Sequence, residues 1–142
     1  MKRTASAVWH GGLKEGKGTV STESGVLSEN QYSFGTRFES GRGTNPEELI
    51  AAAHASCFSM ALSAELGKAG LTAESIHTTS TLTMERLETT GWTVTKMHLD
   101  VEAKIPGAAA EAFDTAANGA KAGCPISRLL KAEITMTAKL AG

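Results

Sequence analysis

The stretch "GTNPEELIAAAHASCFSMALSAELGKAG", residues 43–70, decides the fold. Thr44 or Asn45 can cap a helix here, and Pro46 fits its first position. Glu47 and Glu48 suit its positive end, and Gly70 can terminate it. From Leu49 to Leu62 the segment is apolar or small almost all round, interrupted only by His54, Ser56 and Ser59. A helix apolar on every side needs cover on every side. A single chain of 142 residues can hardly give that at its own centre. The pattern therefore predicts an obligate homodimer, with this helix buried near the interface.

Downstream, residues 75–87 and 91–105 read as two strands joined by a turn near Thr89-Thr90-Gly91. In the second, Met97, Leu99, Val101, Ala103 and Ile105 alternate with Lys96, His98, Asp100, Glu102 and Lys104, as in a half-buried antiparallel strand. A second helix is expected from near Ala108 and a short third from "CPISRLLKA". A closing strand puts Ile134, Met136, Ala138 and Leu140 on one face. Upstream, "TASAVWH" (4–10), "KGTVST" (17–22) and "YSFGTRFE" (32–39) are strand candidates punctuated by glycine. Runs of strands rather than strict alternation predict an α+β fold. No repeat or linker divides the chain, so one domain over 1–142 is expected.

Composition narrows the function. Fourteen basic and fifteen acidic residues leave a net charge of −1. Without a basic stripe, neither nucleic acid nor an anionic membrane is the expected partner. No signal-peptide pattern follows the first residues, and no run matches the roughly 18 to 20 uninterrupted apolar residues of a membrane span. A cytoplasmic location is expected, where thiols stay reduced.

Two cysteines, Cys57 and Cys124, are too few for a disulfide framework. They are either inert interior thiols, a metal pair or a redox couple. Cys124 precedes Pro125 and so falls at a helix N-cap, where free N–H groups favour a thiolate. Cys57 lies mid-helix and needs a positive group from elsewhere to be reactive. His54 and Cys57 share a helix face one turn apart, yet the paired ligand spacing of structural zinc is missing, and no metal or cofactor is expected. His54 reads as a satisfied interior or interface residue. GxSxG, GxGxxG, GxxxxGK[ST] and HExxH are absent, which removes the common hydrolase, dinucleotide, P-loop and zincin readings.

"GKGTVSTESGVL", "TRFESGRGTNPEELIAAAHASCFSMAL" and "KAGCPISRLLKAEIT" together resemble the OsmC and organic hydroperoxide resistance family over most of the chain. The resemblance implies a two-cysteine peroxidase that reduces organic hydroperoxides, and hydrogen peroxide less specifically, in oxidative and osmotic stress defence. It implies antiparallel sheets wrapped around a long buried central helix in an intertwined homodimer. Cys57 then matches the peroxide-attacking cysteine, Cys124 the resolving cysteine that closes a Cys57–Cys124 disulfide, Arg37 the active-site arginine and Glu47 its carboxylate partner. An external dithiol would reduce the disulfide. The family pattern thus overrules the helix-end argument for Cys124 as the nucleophile. On one continuous helix Glu47 and Cys57 stand about 15 Å apart along the axis, on different faces. Either the helix breaks between them or Glu47 reaches a given Cys57 from a partner chain, and the second is expected. Phe34, Phe38, Phe58 and Met60 flank these residues and are candidate walls of an apolar substrate pocket. Two other classes fit the residues alone: a module sheltering an apolar ligand at a dimer interface, and a redox sensor.

Overall fold

The computed structural model describes residues 1–141. The chain folds as two compact units, residues 1–49 and 50–142.

The first unit holds β1 (Ala5–His10), β2 (Lys17–Thr22) and β3 (Asn30–Ser33) in an antiparallel sheet of that order. Gly18 of β2 lies between Trp9 and Tyr32 in the register. A side chain at Gly18 would run into the Tyr32 ring at 2.5 Å, so the glycine leaves room for Trp9 and Tyr32 to pack, ring centroids 5.4 Å apart. The strand expected over 32–39 is corrected: β3 stops at Ser33, and α1 (Phe34–Phe38) follows. Ser33 and Thr36 form a reciprocal capping box, the Ser33 hydroxyl accepting from the Thr36 N–H and the Thr36 hydroxyl from the Ser33 N–H. This satisfies two N–H groups that a fourth strand would have had to pair.

The helix α2 runs unbroken from Pro46 to Lys68. Asn45 is its cap, accepting at 2.8 Å from the Glu48 N–H. At the other end the Leu71 N–H reaches back to the Leu66 carbonyl across Gly70, whose φ of 72° suits glycine. By length and composition α2 could cross a membrane. In this fold one face, carrying His54, Phe58, Leu62 and Leu66, is buried.

The second unit is built on β4 (Ser75–Leu87), β5 (Gly91–Lys104) and β6 (Glu133–Ala141), with α3 (Ala110–Gly123) and α4 (Pro125–Leu129) between the last two strands. The alternation in β5 holds: Met97, Leu99, Val101 and Ala103 are buried and Asp100, Glu102 and Lys104 exposed. Leu99, Val101 and Ala103 meet Phe58, Leu62 and Leu66 of α2 and Phe113, Ala116, Ala117 and Ala120 of α3 in one core. One expectation is corrected here. β4 and β5 are antiparallel, but β6 runs parallel to β5. A helical crossover through α3 and α4 returns the chain to the same end of the sheet, as parallel pairing requires.

Candidate functional site

The sequence-predicted residues assemble as two pairs, one in each unit. In the first unit Arg37 ends α1 and Glu47 opens α2. The guanidinium donates to the carboxylate from two nitrogens, Nη2 at 2.6 Å and Nε at 2.9 Å to Oε1. A bidentate pair of this kind fixes the plane of the guanidinium as well as its position. Arg37 also lies over the Phe38 ring, 5.1 Å from its centroid. Beside it, Trp9, Leu13, Tyr32, Phe34, Phe38 and Pro46 line a cavity of about 300 Å³. Of the four side chains expected to wall a pocket, Phe34 and Phe38 do so. Phe58 belongs instead to the core of the second unit, and Met60 is 77% exposed. Their helical spacing sets these two on different sides of α2, so flanking Cys57 in sequence does not bring both to one pocket.

In the second unit Cys57 and Cys124, 67 positions apart, come together with their Sγ atoms hydrogen-bonded at 2.9 Å. Both are free thiols. Cys124 is fully buried, whereas Cys57 is partly exposed. Cys124 stands where the sequence placed it, at the N-cap of α4 before Pro125, and it also closes α3. Burial and the neighbouring Cys124 thiol push the Cys57 thiol up. Burial acts the same way on Cys124, but the Cys57 thiol, the N–H groups of Ser127 and Ile126 and the Ser127 hydroxyl outweigh it and bring Cys124 down. Within this unit, then, Cys124 is the thiol that ionises more readily. To carry charge instead, Cys57 needs a cation that its own unit does not place beside it.

Sequence reasoning placed His54 in the interior but missed its partner, Ser127. His54 is fully buried, and its Nε2 lies 2.8 Å from the Ser127 hydroxyl, 73 positions away. Burial holds its pKa below the ordinary 6.5, so the ring is neutral at neutral pH. The only local signals were His54 one turn before Cys57 and Ser127 three residues after Cys124. Among the described residues no His, Cys, Asp or Glu cluster could hold a metal ion.

An α+β chain that brings two free cysteines into contact from distant segments is built for thiol chemistry. The model of OsmC-like proteins matches residues 39–139. Peroxiredoxin OsmC of Escherichia coli K12 is 54% identical over 140 residues, covering 99% of this chain and 97% of that protein, and its Shigella flexneri counterpart matches equally. The chain belongs to the OsmC family. Solved structures share the fold at lower identity. The OsmC-like protein of Mycoplasma pneumoniae has a TM-score of 0.78 at 14% identity, covering 100% of this chain and 99% of that one. The organic hydroperoxide resistance protein OsmC of Legionella pneumophila has a TM-score of 0.68 at 24% identity, covering 98% and 97%.

Proposed function

We propose that this chain is a thiol-dependent peroxidase that reduces organic hydroperoxides, and hydrogen peroxide less readily, to alcohols and water in stress defence. The observation that carries the reading is the contact between Cys57 and Cys124, in a chain 54% identical to Peroxiredoxin OsmC. Cys57 is the nucleophile, because it is the more accessible of the two thiols. Its thiolate attacks the distal peroxide oxygen and the O–O bond breaks. An alcohol leaves after protonation, and Cys57 becomes a sulfenic acid. Cys124 condenses with it, releasing water and forming a disulfide that an external dithiol reduces.

Arg37 is the missing cation. It lowers the Cys57 pKa and offsets charge on the departing oxygen, while Glu47 holds it in plane. The cavity beside Arg37, walled by Trp9, Leu13, Phe34 and Phe38, favours an alkyl group on the peroxide. Because α2 is unbroken, Glu47 and a Cys57 of the same helix stay about 15 Å apart. A second copy of the chain therefore brings Arg37 and Glu47 to Cys57, and the enzyme works as an intertwined homodimer. Exposed Met60 and the other residues on the open side of α2 support that assembly. A reducing compartment such as the cytoplasm suits the two free thiols.

The test is peroxide consumption with a dithiol reductant, using tert-butyl hydroperoxide and hydrogen peroxide. Wild type should turn over with the organic peroxide preferred, Cys57→Ser should be inactive, and Arg37→Met should lose about 10²–10³-fold, the scale of a lost charge-stabilising donor. Activity in Cys57→Ser with none in Cys124→Ser would reassign the nucleophile. An inactive wild type would end the peroxidase reading.

A further inference from the structure

His54 is the one fully buried titratable side chain that the proposed reaction leaves without a role. A buried histidine is expensive to keep unless it is satisfied or used. Here only half of the ring is satisfied: Nε2 meets the Ser127 hydroxyl at 2.8 Å, and Nδ1 has no partner. The pairing is selective in place. Ser127 is itself buried and lies one turn into α4 from Cys124, and its hydroxyl is one of the groups acting on the Cys124 sulfur. His54 lies one turn before Cys57 on α2. The buried ring and hydroxyl thus adjoin the thiol pair, with the hydroxyl next to the buried Cys124 sulfur.

We propose that Ser127 and His54 form a proton relay for the resolving cysteine, with Ser127 in contact with the reacting sulfur and His54 as the positioning residue behind it. The proposal rests on the peroxidase reading above, with Cys124 as the resolving thiol. In the resolving step the Cys124 sulfur attacks the sulfenic sulfur of Cys57. An S–S bond forms and the S–O bond breaks, so that the Cys57 sulfur is reduced, the Cys124 sulfur is oxidised and hydroxide departs. The Cys124 proton passes to the Ser127 oxygen as the hydroxyl proton of Ser127 moves to His54 Nε2. The relay then runs back and the proton joins the departing hydroxide as water. Burial keeps His54 neutral and therefore able to accept. The lack of a partner on Nδ1 leaves nothing to hold a charged ring, so the proton is lent and not stored. During reduction the same path returns a proton to Cys124 when it leaves as thiolate.

The step can be isolated by reacting the reduced dimer with one equivalent of tert-butyl hydroperoxide and quenching over time. Dimedone-trapped Cys57 sulfenic acid and the Cys57–Cys124 disulfide are then counted by mass spectrometry. Sulfenic acid formation should be unchanged in Ser127→Ala, and disulfide closure should slow about 10–100-fold, within the reach of a lost acid–base group. Ser127→Thr, which keeps the hydroxyl, should restore closure. His54→Gln, which can still hydrogen-bond Ser127 but cannot take a proton, should slow closure like Ser127→Ala, and the double variant should be no slower than either. Closure at the wild-type rate in Ser127→Ala or His54→Gln overturns the relay. So does an equal slowing of both steps, which is the mark of a packing role. A wild type that consumes no peroxide takes down the peroxidase reading along with it, whereas a competent wild type with unaffected variants removes the relay alone.

Discussion

The two units differ in what holds them together. Among the described residues every buried apolar side chain lies in the second unit, from Phe58 and Leu62 to Phe113 and Cys124. In residues 1–49 the only buried positions are Gly16, Gly18 and Thr36, while Val8, Leu13 and Val26 stand exposed. The second unit is a sheet covered by helices with a core of its own. The first is a three-stranded sheet held by ladder hydrogen bonds, a capping box and one ion pair, none of which supplies the burial that stabilises a fold. The difference teaches that burial stabilises one unit within the chain, whereas the exposed apolar side chains of the other suit the second copy proposed above. The proposed chemistry divides the same way: the thiols sit on the second unit and Arg37, the proposed cation, on the first.

The largest expected effect lies in the second core. Phe58→Ala should cost about 3–5 kcal/mol in denaturant unfolding, as for other fully buried phenylalanines. Val26→Ala, at a position 83% exposed, should cost under about 0.5 kcal/mol. A comparable loss from both would erase the contrast. Next comes the open side of α2. Met60→Lys is a near-neutral surface change if the chain works alone. If a second copy covers that side, it should cost at least about 2 kcal/mol and shift the protein toward monomer in sedimentation. The smallest effect is one of slope. Because burial holds His54 below 6.5 in the fold, the unfolded chain binds the extra proton as pH drops through that value. Wild type therefore loses stability on acidification, and this component is retained at neutral pH. His54→Gln removes it, so melting temperatures of variant and wild type should converge, or cross, between pH 7 and pH 5. A constant difference would place the ring outside the desolvated core.

How much of this was legible in the sequence depends on how local the signal was. The long helix could be read because cap, apolar stretch and terminating glycine stand in one window, and β5 because strict alternation names its buried face. The N-cap place of Cys124 was legible from the proline after it. The helix over Phe34–Phe38 was hidden by aromatic residues that favour strands, its start being signalled by a serine–threonine pair and not by the usual glutamate. The direction of β6 was hidden because alternation specifies a face and carries no sense of travel. At the site, composition and spacing left Cys57 and Cys124 as one option among several, and only the family resemblance joined them. The interior place of His54 was legible, but its pairing with Ser127 was beyond reach, since a contact across 73 positions leaves no periodicity behind.

The separation of the two cysteines has a consequence for what peroxide does to the protein as a whole. Once Cys57 and Cys124 are joined, the unfolded chain is tied into a loop of 67 residues and loses much of its freedom. In the chain-entropy account a tie of that length favours the folded state by about 4 kcal/mol. In the proposed cycle each turnover therefore swings the protein between a less and a more stable form. On that proposal the more stable form is the spent one, so the oxidant itself steadies the protein that consumes it.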